Sequence, residues 1–214
     1  MTPEVRLEMV NRQESLVALA AAVDGLVAAL GVDALAADSV RTAALEAGKN
    51  VVLHAYEGTE GPMEVALRAG GETVEVTVTD HGIGIRPHLG ERRYPHNGLG
   101  LPIIHQHARR VTYTNLAGGG TELRMEFPVE LAGETDPVVF AAAAVSRLAG
   151  PLDDVPGVRA EVLIEEEGAA GGDPLLERLR ERLDDATFTR LRSERRAPER
   201  GDGAVLVLLL GSCG

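Results

Sequence analysis

The stretch Glu46-Ala-Gly-Lys-Asn50-Val-Val-Leu-His54-Ala-Tyr56 decides how the rest of the chain is read. It closes an apolar-periodic segment, and a spacing of four puts Glu46, Asn50 and His54 on nearly one face of a helix. A carboxylate and a carboxamide then project together from one rigid element. That pairing suits a Mg²⁺-nucleotide site, in which Asn50 offers a hard oxygen to the metal and Glu46 accepts a proton from an attacking hydroxyl or water. The same residues also make an ordinary solvent-facing helix surface. Gly48 and Lys49 lie inside this helix, where glycine costs about 1 kcal/mol relative to alanine. Nucleotide binding is therefore better supported here than efficient catalysis.

Upstream, residues 5–9 alternate apolar and polar and run into a polar break at 11–14, which reads as a strand entering a turn. Leu16, Leu19, Val23, Leu26 and Leu30 then keep helical spacing. Gly31 is a stop, and Asp38 or Ser39 can cap a second helix reaching about Tyr56. Downstream, residues 63–69, 73–79, 111–115 and 121–127 alternate, and turns such as Gly70-Gly71 and Gly118-Gly119-Gly120 separate them. Residues 102–108 suit a helix with proline in its first turn. The predicted class is α/β (α+β), a two-layer sandwich with helices on one face of a mixed sheet. The character changes after Phe127-Pro128. Residues 138–148 and 174–183 read as helices, and 158–164, 187–191 and 205–210 as strands, with 193–202 as an exposed charged loop. A first domain, 1–128, is thus followed by a smaller C-terminal α/β unit, 129–214. Three readings stay open for that unit: a degenerate second copy of the first domain, since 129–148 loosely echoes 7–30, a partner-binding domain, or the surface of a homodimer.

Two further motifs carry chemistry. Asp80-His81-Gly82-Ile83-Gly84 follows the alternating strand 73–79. A carboxylate at a strand end can accept a hydrogen bond from an adenine amino group, and two glycines let backbone pass close to a flat base. Asn97-Gly98-Leu99-Gly100-Leu101-Pro102 is a glycine-rich turn opening a helix, where backbone amides without side-chain bulk suit a triphosphate. No Gly-Lys-Ser/Thr follows, so it is not a Walker A loop. Each motif alone also reads as a plain turn or helix start. Together they supply metal and base, adenine, and phosphate contacts of one Mg-ATP complex, each in its own element.

In that order the three stretches resemble the N, G1 and G2 boxes of the GHKL (histidine kinase-like) ATPase superfamily. Asn50 followed by His54-Ala55-Tyr56-Glu57, the short segment between the glycine boxes, and Gly98-Leu99-Gly100-Leu101 are similar to bacterial anti-sigma-factor serine/threonine kinases. The resemblance covers residues 5–127 and implies a Bergerat-type ATP-binding fold. It implies Glu46 as general base, Asn50 as magnesium ligand and Asp80 as adenine contact. Gly82 and Gly84 would shape the base pocket, Gly98, Leu99 and Gly100 would meet the phosphates, and Thr121 would support the adenine from a neighbouring strand. The segment between the glycine boxes would be a lid, from which Arg92 or Arg93 can reach a phosphate, although solvated loop charges are the plainer reading. The family's activity would be transfer of the ATP γ-phosphoryl group to a Ser or Thr of an antagonist protein, with a sigma factor as second partner. The alternative is a non-catalytic nucleotide-sensing interaction module.

Composition narrows the classes further. In 214 residues, 44% hydrophobic and 25% charged side chains are ordinary globular usage, which excludes a disordered or rod-like chain. A net charge of −12 with scattered arginines argues against nucleic acid as a partner. The most apolar run, 204–210, is far shorter than the roughly 20 residues of a membrane span. The one cysteine, Cys213, can form no internal disulfide, and a reducing cytoplasm is expected. His54 and Tyr56 read as packing or helix-end groups, and the scattered histidines as no zinc site.

Overall fold

The computed structural model describes residues 4–84, 100–130, 136–166, 174–196 and 204–211. Strand β1 (Glu4–Val10) leads into helices α1 (Ser15–Ala29) and α2 (Ala34–Asn50), and a five-residue π-helical segment (Val51–Ala55) extends α2. Strands β2 (Pro62–Gly70) and β3 (Thr73–Asp80), helix α3 (Gly100–His107), and strands β4 (Arg110–Asn115) and β5 (Thr121–Pro128) follow. The remainder is α4 (Pro137–Asp153), β6 (Arg159–Glu166), α5 (Pro174–Arg180), α6 (Asp185–Arg190), β7 (Arg192–Arg196) and β8 (Ala204–Gly211).

Among the described residues the strands join one eight-stranded sheet in the order β4-β5-β3-β2-β1-β6-β8-β7. Every described pair is antiparallel, so the sheet is antiparallel where a mixed one is expected from the sequence. The reason lies in the connections. One crossing helix returns the chain for a parallel neighbour, but α1 and α2 form a pair, which brings the chain back to the end where β1 finished. The single helix α4 joins β5 to β6, and β3, β2 and β1 lie between those two strands.

The helices cover one face, α2 over β3 and β5, α1 over β1 and β2, and α4 over β6 and β8. Alternation selects that face: Val5, Leu7 and Met9 on β1 and Val74, Val76 and Val78 on β3 are buried beneath the helices. The opposite face is polar across β1 to β5. There Glu4, itself buried, pairs with Arg6 and with Arg68 at 2.7 Å, and Glu8 meets Arg159 at 3.3 Å. The described edge strand β7 presents Arg192 and Glu194, charges that discourage further pairing. The apolar run at 205–210 lies inside the sheet, with Val207 and Leu208 fully buried.

Helix α1 buries most of its residues because α2 and α4 flank it. This explains Gly48. A methyl group there would come within 2.8 Å of Leu19 Cδ2 and 2.9 Å of Leu16 Cδ2, so the glycine stands at a tight contact between α1 and α2 and is not a weak point in α2. Gly48→Ala is expected to leave stability within about 1 kcal/mol of wild type, because the gain in helix propensity offsets displacement of two flexible leucine ends. Gly48→Val should destabilise by about 1–3 kcal/mol in urea unfolding. Equal midpoints for the two variants would contradict the packing account.

Of the element boundaries that differ from the sequence reading, two have a visible cause. Helix α2 starts at Ala34, because Asp33 is extended and its carboxylate accepts from Leu35 N at 2.9 Å and Ala36 N at 3.1 Å, ahead of Asp38 and Ser39. Residues 187–191, expected as a strand from Thr187 and Thr189, instead lie mostly in α6. The Asp184 carboxylate caps it through Thr187 N at 2.8 Å, and the strand is displaced into the charged stretch 192–196.

Candidate functional site

The end of α2, the end of β3, the start of α3 and the β4–β5 turn converge at one end of the sheet. Helix α2 presents Glu46, Lys49 and Asn50, with Lys49 Nζ 2.6 Å from Glu46 Oε1. Asn50 stands against the first residue of α3, since a methyl group on Gly100 would lie 3.0 Å from Asn50 Oδ1. The carboxamide and the opening of α3 are therefore neighbours. Ile104 is fully buried and holds α3 against α2.

The π-helical segment ends at Ala55, whose carbonyl would be left without a helical partner. It accepts Ile83 N at 2.9 Å instead. Glycine at 82 is required by that approach: a side-chain carbon there would overlap the Ala55 carbonyl. The turn after β3 is thus docked directly on the helix end that follows Asn50.

Asp80 is buried and its Oδ1 accepts from Gly82 N at 2.9 Å. Burial pushes its carboxyl above the ordinary carboxylate range, while the backbone N–H groups of Gly82 and Thr121 pull the other way. Thr121, also buried, stands directly opposite Asp80 in the β3–β5 register. Gly84 lies against this strand end as well, a methyl group there falling 3.2 Å from Asn115 Oδ1 and 3.3 Å from the Gly120 carbonyl oxygen.

Asn50, Asp80, Gly82, Gly84, Gly100 and Thr121, singled out from sequence, come together at this end, and Glu46 sits one turn earlier on α2. Gly98, Leu99, Arg92 and Arg93 lie outside the described residues. Two residues that hold the site together escape sequence reading. Gly120 has φ +96° and a side-chain carbon there would overlap the Asp80 carbonyl, so only glycine lets β5 begin beside Asp80. The glycine run 118–120 signalled a turn but not this contact. Tyr56 is the other. Its hydroxyl accepts from His81 N at 2.8 Å and donates to the Pro62 carbonyl, tying the turn after β3 to the start of β2. Partial burial raises the phenol above its usual range and keeps it a donor. The only sequence signal was its place one residue past a helix end.

The described histidines have local roles or face solvent. His105 Nε2 lies 3.4 Å from the Tyr113 hydroxyl, His107 Nδ1 lies 3.3 Å from Ser39 Oγ, and His81 lies 3.3 Å from Glu64, while His54 is exposed. Among the described residues no helix is long and apolar enough to cross a membrane.

The arrangement offers a buried acceptor at the strand end, a backbone surface cleared by glycines, and a hard oxygen donor at Asn50 next to a helix start. These groups fit a purine nucleotide with its metal: acceptor for an exocyclic amine, open amides for phosphates, carboxamide oxygen for a divalent cation. Residues 9–127, more than half of the chain, match the family model described as histidine kinase-like ATPase domain. No curated protein matches the chain.

Proposed function

The chain belongs to the histidine kinase-like ATPase domain family, and from that premise we propose that this ATP-binding protein is a regulatory kinase. On this reading it transfers the ATP γ-phosphoryl group to a Ser or Thr of an antagonist protein and sequesters a sigma factor, as its resemblance to anti-sigma-factor kinases implies. The supporting observation is the convergence of Asn50, Asp80, Gly82, Gly100 and Thr121 at one end of the sheet. Asp80 accepts a hydrogen bond from the adenine amino group, with Thr121 beside it. Gly82 and Gly84 leave room for the base, and Gly98, Leu99 and Gly100 are assigned to the phosphates, as the resemblance implies, with Gly100 at the start of α3. Asn50 would hold magnesium, which would supply neutralisation of charge on the phosphates. Glu46 takes the proton of the attacking hydroxyl as its oxygen bonds to the γ-phosphorus and the bond to the β-phosphate oxygen breaks, releasing ADP.

One contact favours the alternative, a nucleotide-sensing module without catalysis: Glu46 already engages Lys49 at 2.6 Å. Both readings require the nucleotide site. The test is calorimetric titration with a non-hydrolysable ATP analogue, with and without Mg²⁺, on wild type and Asp80→Asn. Loss of a hydrogen bond to a charged acceptor, worth about 1.5–3 kcal/mol, should weaken binding roughly ten- to 150-fold in the variant. Absence of binding by wild type at millimolar analogue would remove both readings.

The same pair of proteins tests the environment of Asp80. Because its folded pKa is raised by burial, the stability it contributes is fully present below the unfolded value of 3.8 and is lost as pH rises through the folded value. In urea unfolding, wild type should therefore lose ground against Asp80→Asn as pH rises through that window. A difference independent of pH would contradict the buried-carboxylate account.

A further inference from the structure

Of the 21 lysine and arginine residues in the sequence, Lys49 is the single lysine. It immediately precedes Asn50, is exposed, and places Nζ 2.6 Å from Glu46 Oε1. On helical spacing Glu46, Lys49 and Asn50 share one face of α2, and that face meets the start of α3 through Asn50 and Gly100. An ammonium group carries three donors on a compact charge, whereas a guanidinium fork matches one carboxylate in its plane. A chain that otherwise uses arginine in place of lysine thus has its one side-chain ammonium beside the candidate base and the candidate metal ligand.

We propose that Lys49 reads the terminal phosphate of the nucleotide, its ammonium bridging the Glu46 carboxylate and a γ-phosphate oxygen. The inference rests on the reading that nucleotide phosphates lie at the Asn50–Gly100 end of the site. Lys49 is then a specificity residue, favouring a nucleoside triphosphate over a diphosphate. It also positions Glu46. Sharing the ammonium with a phosphate loosens its hold on the carboxylate, so Glu46 becomes available for a proton only when a γ-phosphate is present.

A single side-chain amine makes the test direct. The full chain is treated with an acylating N-hydroxysuccinimide ester, and acylation at Lys49 is followed by peptide mass spectrometry, with the α-amine as internal standard. A magnesium complex of a non-hydrolysable ATP analogue should slow labelling of Lys49 about tenfold, as expected for an amine held in a charge-assisted hydrogen bond, and Mg-ADP should slow it far less. In calorimetry Lys49→Ala should weaken the triphosphate analogue about tenfold while changing ADP by less than about twofold. Lys49→Arg should recover only part of that loss. Glu46→Gln should tighten the triphosphate analogue, and this gain should vanish when Lys49→Ala is added. Unchanged melting of these variants keeps folding out of the comparison. Equal effects on ATP analogue and ADP, or no protection of Lys49 while wild type binds the analogue, would overturn the proposal and leave the nucleotide site standing. Failure of wild type to bind either nucleotide would overturn the nucleotide reading and this inference with it.

Discussion

Glu46→Ala is expected to bind the ATP analogue at least as tightly as wild type and to transfer the γ-phosphoryl group about 10²- to 10⁴-fold more slowly, the usual contribution of a positioned general base. The two readouts separate because Glu46 lies one helical turn before Asn50 and makes none of the hydrogen bonds that organise Asp80, Gly82 and Thr121 among the described residues. Its removal also releases Lys49, whose ammonium is then available to a phosphate. Fold should persist, since the Glu46–Lys49 pair is partly exposed and such i,i+3 pairs contribute a few tenths of a kcal/mol, about 0.2–0.5. Single-turnover release of labelled phosphate, to water or to an antagonist protein, measures the second quantity. An unchanged rate would remove Glu46 from the role of base. A wild type that binds the analogue but turns over no faster than Glu46→Ala would favour the nucleotide-sensing module.

Gly82→Ala should lower both stability and binding. The added methyl group would overlap the carbonyl of Ala55, and both sides of the contact are backbone, so no side-chain rotation relieves it. Moving the turn away breaks the hydrogen bond from Ile83 N to Ala55 O, 2.9 Å long, and disturbs the Gly82 N–H that Asp80 accepts. Overpacking of about 1–3 kcal/mol with a lost hydrogen bond of about 0.5–1.5 kcal/mol gives roughly 1.5–4.5 kcal/mol of destabilisation. A displacement near 1 Å in a positioned site corresponds to about a hundredfold loss, here expected in affinity for the ATP analogue. Gly118→Ala is the control, because nothing lies within 4 Å of a methyl group there. Urea unfolding and calorimetry on the two variants decide the matter. Wild-type values for Gly82→Ala in both would mean that the turn and the helix end do not need to touch.

Much of the site was legible because its requirements are local. A strand must end in a carboxylate, turns must be small, and a helix face must carry an amide and an acid four residues apart. Asp80, Gly82, Asn50 and Glu46 satisfy these within short windows of sequence. Tyr56 and Gly120 were not legible, since their importance comes from contacts across the chain: the Tyr56 hydroxyl with His81 and Pro62, and Gly120 with the Asp80 carbonyl. Gly48 was misjudged for the same reason. Within α2 it looks like a weak residue, and only the leucines of α1 show that a large side chain has no room there.

Sequence periodicity by itself determined which residues are apolar on one side of each strand and helix, because side-chain direction repeats every two residues in a strand and every 3.6 in a helix. It therefore determined the two-layer character and the ends of most elements. Tertiary structure alone decided strand order, the antiparallel pairing throughout the described sheet, and the joining of residues 159–166 to β1. Those depend on how the helix pair α1–α2 returns the chain and on which edge remains open after β2 and β1 have paired. The strand after Leu191 was likewise decided beyond its own residues, by the Asp184 cap that makes 185–190 helical and by the pairing of 192–196 along β8.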